Sequence, residues 1–93
     1  MLTYSQALAI AEKEVLKLSM PDDEYIIVED QVVEMSWGWI FIYNSRQFIE
    51  TRDDQYHLMG NAPIFINRET GQIHHTGTAN DVNYYIAEYE NKL

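Results

Sequence analysis

The chain has 93 residues, of which 46% are hydrophobic and 13% aromatic, which fits one packed domain over residues 1–93 and argues against disorder. Fifteen acidic side chains outnumber six basic ones and give a net charge of −9, which disfavours nucleic acid and anionic membranes as partners. With no cysteine, no apolar run long enough to cross a bilayer and no secretion signal, the sequence predicts a cytoplasmic protein without disulfides.

The first predicted element is an amphipathic helix. Thr3 and Gln6 have the spacing of a capping box, in which the two side chains satisfy free N–H groups of the first turn. Pro21 predicts the end of the helix. Apolar residues recur between them at intervals of three and four, namely Tyr4, Leu8, Ala11, Val15 and Leu18.

β-Branched and aromatic residues then predict strands at residues 25–28, 32–33 and 39–43. Asp30 and Gln31 fit either a tight turn or a bulge within one long strand. Residues 39–43 are apolar on both faces, whereas the two predicted helices are expected to cover one face of the sheet. Residues 44–59 are read as a long loop that fits a short helix within it. This loop, a second subunit in a homodimer or another partner must therefore cover the second face.

A hairpin and a second helix complete the predicted fold. Residues 63–66 and 72–75 form the two strands, and Gly71 stands in the loop where a positive φ is needed. Asn80 is the predicted N-cap of the last helix, and Asp81 favours its positive end. The predicted class is α+β, with an N-terminal helix, an antiparallel sheet of about four strands and a C-terminal helix packed on one face.

The sequence contains no recognisable catalytic or metal motif. There is no cysteine, no serine lies in a nucleophile elbow, and the four glycines never cluster into a phosphate loop. His74 and His75 are adjacent on a predicted strand, so their rings point to opposite faces and are expected to pair with carboxylates or cap a loop. We therefore predict no metal, no cofactor and no enzymatic activity.

Acidic residues dominate residues 22–34, which contain no basic side chain. A strip of one sign either docks a basic partner or is simply a solvated edge. Its members are Asp22, Asp23, Glu24, Glu29, Asp30 and Glu34. The aromatic residues Trp37 and Trp39 are expected in the core, and no basic residues alternate with them as single-stranded nucleic-acid binding would require.

Residues 37–46, Trp-Gly-Trp-Ile-Phe-Ile-Tyr-Asn-Ser-Arg, resemble the Gly-Trp-x-Phe-x-Tyr-x-Ser-Arg strand of the bacterial immunity protein 35 family, also called the YrhB-like domain. Three further segments resemble the family in the same order: residues 60–66, Gly71 with residues 76–78, and residues 85–90. Together with the capped first helix they cover nearly the whole chain, although residues 52–59 do not align.

The resemblance implies an immunity protein that binds and neutralises a cognate polymorphic toxin, expected here to be basic. Because one family member is described as chaperone-like, a holdase for unfolded clients is the alternative. The motif residues are expected to be structural: Trp37, Gly38, Trp39, Gly60, Asn61, Pro63, Gly71, Gly77 and Thr78. The resemblance favours the acidic loop for partner binding, through Glu50, Asp53, Asp54 and Tyr56. Asp22, Asp23, Glu29, Asp30 and Glu34 are the second choice.

Overall fold

The computed structural model describes residues 1–57 and 62–93, so the predictions for Gly60 and Asn61 lie outside the described residues. The described chain is α+β, with two short 3-10 turns at Glu29–Gln31 and Asp54–Tyr56. Its elements are, in chain order, α1 (Tyr4–Leu18), β1 (Tyr25–Ile27), β2 (Val33–Met35), β3 (Gly38–Phe41), β4 (Tyr43–Ser45), α2 (Arg46–Thr51), β5 (Ile64–Asn67), β6 (Ile73–His75) and α3 (Val82–Asn91).

The predicted first helix and its capping box are confirmed. The Gln6 backbone N–H donates to the Thr3 hydroxyl at 3.2 Å, and the Thr3 N–H donates to the Gln6 side chain at 2.9 Å. The helix ends at Leu18, two residues before Met20, and Ser19 follows in an extended conformation. The Ser19 hydroxyl accepts the Tyr25 N–H at 2.8 Å, which fastens the end of α1 to the start of β1.

The strands form two antiparallel sheets. The larger has the order β2-β3-β5-β6, and the smaller pairs β1 with β4. The 3-10 turn at Glu29–Gln31 separates β1 from β2, which decides the Asp30–Gln31 alternative in favour of a turn. The predicted hairpin is confirmed as the β5–β6 pair, in which Phe65 lies opposite His74.

The two long helices lie on opposite faces of the larger sheet. On one face, α1 packs Ala7, Ala11 and Val15 against a buried cluster that includes Trp39 and Phe41. On the other face, α3 covers a second cluster, formed by Trp37, Ile40 and Phe65, with Tyr85, Ile86 and Tyr89. The expectation that both helices cover one face is therefore wrong. Neither the loop nor a second subunit is needed for the second face, because α3 covers it.

Two family glycines are required by the backbone geometry. A Cβ on Gly38 would lie 1.9 Å from the Ile66 carbonyl oxygen, so no side chain fits between β3 and β5. Gly71 has a φ of 72° in the hairpin loop, which is the left-handed region that glycine adopts without steric cost. Both positions therefore favour glycine for reasons of backbone geometry.

The remaining motif residues surround α3 and the start of β5. Pro63 directly precedes β5, and its carbonyl accepts the Thr76 hydroxyl at 3.3 Å. A Cβ on Gly77 would lie 2.7 Å from the Tyr85 hydroxyl, and Thr78 is exposed. The N-cap of α3 is Asp81, whose carboxylate accepts the Tyr84 N–H, so the prediction of Asn80 was wrong by one residue.

Candidate functional site

The histidines lie apart from one another, as their positions predict. His74 contacts the rings of Phe65 and Tyr89 on the α3 face, whereas His75 Nε2 lies 2.8 Å from a Glu14 carboxylate oxygen on the α1 face. Within residues 1–57 and 62–93, no group of three histidine or acidic side chains is arranged to hold a metal ion.

A buried serine organises the first candidate surface. Ser45 is fully buried at the end of β4 and caps α2, because its hydroxyl accepts the Phe48 N–H. The same hydroxyl donates to the Asp23 carboxylate at 2.5 Å. The half-buried Asp23 thus also holds the start of α2 through this contact.

Further hydrogen bonds fix the turn before β1 against α2. The Gln47 side chain donates to the Asp22 carbonyl at 2.9 Å, and the Arg46 N–H donates to the Glu24 carbonyl at 2.8 Å. Arg46 and Glu24 also form an ion pair on the surface. These contacts bring residues 22–24 beside the loop, although the two segments are separated by more than twenty positions in the sequence.

We call the resulting surface the acidic end, defined by Asp22, Glu50 and Asp54. All three side chains are exposed and form no ion pair with other described residues. Asp53 stands between them as the cap of the 3-10 turn, where its carboxylate accepts the Gln55 N–H at 3.1 Å. Tyr56 is half-buried. The Gln47 contact places Asp22 beside α2, the helix that carries Glu50 and precedes the turn with Asp54.

The other acidic residues lie beyond the opposite end of β1. Glu29 and Asp30 are exposed on the 3-10 turn and form no ion pair with other described residues. Glu34 is different, because its carboxylate accepts a hydrogen bond from Arg68 at 2.9 Å. The Arg68 guanidinium in turn lies 4.6 Å from the centre of the Trp39 ring, a cation–π arrangement. Glu34 is therefore already paired within the chain.

An open groove of about 370 Å³ runs between α1 and β1, and we call it the α1–β1 groove. Glu12 and Leu16 of α1 form one wall, residues 24–27 form the other, and Arg46 lies at one end. Leu16 is 55% exposed and contributes apolar surface to the groove. This groove combines an apolar surface with acidic side chains at its rim.

Sequence reasoning missed the groove and the two roles of Ser45. The first has a signal in Leu16, an apolar residue one position beyond the buried stripe of α1. The second has a signal in Ser45, a good N-cap residue followed by residues that tolerate a helix. Neither signal indicates by itself that β1 lies beside Leu16 or that Asp23 lies beside Ser45.

Sequence comparisons find similar proteins for nearly the whole chain. The sequence model of a family described as Immunity protein 35 matches residues 5–92. The chain is also 36% identical over 92 residues to the Uncharacterized protein YrhB of Escherichia coli (strain K12), an alignment that covers 99% of this chain and 93% of that protein. No solved structure matches the chain significantly. None of the helices in the described ranges is long and apolar enough to span a membrane.

Proposed function

This chain belongs to the Immunity protein 35 family, and we propose that it binds and neutralises a cognate protein toxin of a bacterial polymorphic toxin system. The observation that carries the proposal is the family match, which extends over residues 5–92. Protection by an immunity protein requires tight binding and no chemistry of its own. We therefore also propose that the chain is not an enzyme and that it acts in the cytoplasm.

The charge of the chain supports a basic partner. With a net charge of −9, the folded domain attracts a cationic protein over long range and speeds their encounter. Exposed carboxylates without an ion pair among the described residues are free to face such a partner. Among the acidic residues of the two surfaces described above, they are Asp22, Glu50 and Asp54 at the acidic end, and Glu29 and Asp30 on the 3-10 turn.

The acidic end is the better of these two surfaces as the primary contact. Asp22 and Glu50 lie on segments fixed by the Ser45, Gln47 and Arg46 contacts, and Asp54 lies on a turn capped by Asp53, so binding costs less ordering entropy. Glu29 and Asp30 lie on a 3-10 turn whose cap residue, Val28, has no side chain that could hydrogen-bond to the turn. We therefore expect the acidic end to dominate the affinity and the second pair to contribute less.

Affinity capture from the producing cells tests the proposal. The expected result is a single basic protein that binds at nanomolar concentration, loses affinity as the salt concentration rises and is less toxic when the chain is present. Capture of no toxic protein, or of a toxic protein whose activity is unchanged when bound, would contradict the proposed function.

Charge-neutral variants locate the contact. Replacing Asp22, Glu50 and Asp54 together by Asn, Gln and Asn should weaken binding roughly tenfold, because exposed ion pairs each contribute up to about 1 kcal/mol. The matched control replaces Glu29 and Asp30 in the same way, and we expect a smaller loss. An equal or larger loss in the control would move the interface to the 3-10 turn.

A chaperone-like holdase is the second candidate function. The observation in its favour is a set of exposed apolar side chains after the middle of α1: Leu16, Leu18 and Met20 are 55%, 38% and 57% exposed. Exposed apolar side chains of this kind are suited to unfolded clients. Suppression of heat aggregation of several unrelated proteins at stoichiometric concentration would favour this function over one specific partner.

A further inference from the structure

β1 is an edge strand whose hydrogen-bonding pattern can be read from its two ends. The Val28 N–H donates to the Ile42 carbonyl at 2.8 Å, and the Arg46 N–H donates to the Glu24 carbonyl at the same distance. In an antiparallel pair, the residues that exchange hydrogen bonds alternate with residues whose peptide groups point away from the partner strand. The alternate residues of β1 therefore direct their N–H and C=O groups away from β4.

These outward-pointing residues are Tyr25 and Ile27. The Tyr25 N–H is already bound to the Ser19 hydroxyl, at 2.8 Å. The Tyr25 carbonyl and both peptide groups of Ile27 form no hydrogen bond with another described residue. Backbone groups left in this state on a strand edge are a template for another strand.

The α1–β1 groove runs along this same edge. Its strand wall includes Tyr25 and Ile27, while Leu16 supplies an apolar side chain that is more than half exposed. Side chains of an extended peptide point alternately to its two faces, so a strand placed on this edge presents every second side chain to Leu16. The groove therefore offers main-chain pairing and an apolar contact together.

The charge around the groove selects a basic occupant. Glu12 in the α1 wall forms no ion pair with another described residue, and Glu24 is shared only with Arg46. The pKa of the Tyr4 hydroxyl on the same helix is raised, first by burial and then by the negative charges of Glu29 and Glu12. This side of α1 thus lies in a negative field, which favours lysine or arginine on an incoming segment.

We propose that the α1–β1 groove receives an extended, basic segment of the partner protein, which adds to β1 as a further strand. The segment pairs its backbone with Ile27, packs an apolar side chain on Leu16 and directs a basic side chain to Glu12. The identity of the partner as a toxin rests on the proposed function. The docking mode itself depends only on the groove, and is a β-strand addition.

A peptide titration tests the docking mode without the toxin. The probe is an eight-residue peptide with blocked ends that repeats valine-threonine-lysine-threonine, so that valine and lysine alternate along the one face turned toward α1. The matched control peptide has glutamate in place of lysine. Nuclear magnetic resonance with isotope-labelled protein should show binding of the lysine peptide alone, with the Ile27 amide shifted and protected from hydrogen exchange. Equal binding of both peptides, or an unchanged Ile27 amide at saturation, would overturn the proposal.

Two variants with the same added charge locate the site. L16R places a cation in the groove, whereas A87R places one on the exposed surface of α3, on the opposite side of the larger sheet. We expect L16R to weaken binding of the lysine peptide at least about tenfold. The substitution removes the apolar contact with the exposed part of Leu16 and adds repulsion between the new arginine and the lysines of the peptide. A87R should bind the lysine peptide with a dissociation constant within about twofold of that of the unmodified chain, because charges far from the groove are screened.

The outcomes separate this inference from the proposed function. If L16R and A87R bind the lysine peptide equally, the groove is not the site, even when a toxin is captured through the acidic end. If the peptide binds in the groove and no toxin is captured, strand addition stands and the proposed function fails. L16R replaces an exposed side chain, and circular dichroism of the free protein verifies that it remains folded.

Discussion

Replacing Ser45 by alanine should destabilise the fold far more than its small size suggests. Ser45 is fully buried and its hydroxyl serves two partners, the Asp23 carboxylate and the Phe48 N–H at the start of α2. Alanine removes both hydrogen bonds without changing the backbone. The half-buried carboxylate then loses its donor, and α2 loses its cap.

The expected loss is about 3 kcal/mol in the free energy of unfolding. A hydrogen bond to a charged group contributes about 1.5–3 kcal/mol, and an N-cap typically contributes about 1 kcal/mol. Together these contributions give about 2.5–4 kcal/mol. We expect a value in the lower half of this range, because water reaches the half-buried Asp23 carboxylate and replaces part of the lost hydrogen bond. For a domain whose total stability is roughly 5–15 kcal/mol, this change is large.

Urea unfolding followed by circular dichroism measures the loss. The matched control is Ser36→Ala at an exposed serine, which should change the stability by less than about 0.5 kcal/mol. A double-mutant cycle with Asp23→Ala isolates the contact and should give a coupling energy of at least about 1 kcal/mol. A Ser45→Ala loss no larger than the control, or a coupling energy near zero, would refute the assignment of Asp23 to a structural role.

Three further predictions follow from the sheet and its faces. Gly38→Ala should prevent folding or cost more than about 3 kcal/mol, because its Cβ would clash with the Ile66 carbonyl; a thermal melt close to that of the unmodified chain contradicts this. Trp37→Phe should cost about 1 kcal/mol in urea unfolding by removing the 2.9 Å hydrogen bond to Glu90, and a neutral result would show that this contact is not formed in solution. Burial raises the pKa of the Tyr43 hydroxyl above its usual value, so the stability that this group contributes should be complete below pH 10 and be lost as the pH rises through the raised pKa. The free energy of unfolding of Tyr43→Phe should therefore fall less steeply with pH than that of the unmodified chain, and an equally steep fall would contradict this.

Local chemistry made the first helix and the hairpin predictable from the sequence. The capping box of Thr3 and Gln6 involves residues three positions apart, and the loop glycine Gly71 adopts the positive φ that its position requires. The N-cap of α3 was predicted one residue early because Asn80 and Asp81 are both good capping residues. Only the geometry decides between them, since Asp81 receives the Tyr84 N–H.

Long-range placement was the part that the sequence left open. The apolar stripe of α3 predicts an amphipathic helix, yet it does not indicate which face of the sheet the helix covers. That choice depends on Trp37, which contacts Tyr89 and donates to Glu90 more than fifty positions away. Asp23 was assigned to a surface strip for the same reason, because its partner Ser45 is 22 positions away in a segment read as a loop.

The position of α3 also has a consequence for biosynthesis. Domains fold progressively as the chain leaves the ribosome, and α3 follows the six strands found in residues 1–57 and 62–93. Until α3 emerges, the sheet face that carries Trp37, Ile40 and Phe65 has no cover from this helix. A nascent chain at that stage exposes an aromatic surface that can associate with other chains. Pauses in translation before residue 82 should therefore increase misfolding, whereas pauses after α3 has emerged should not.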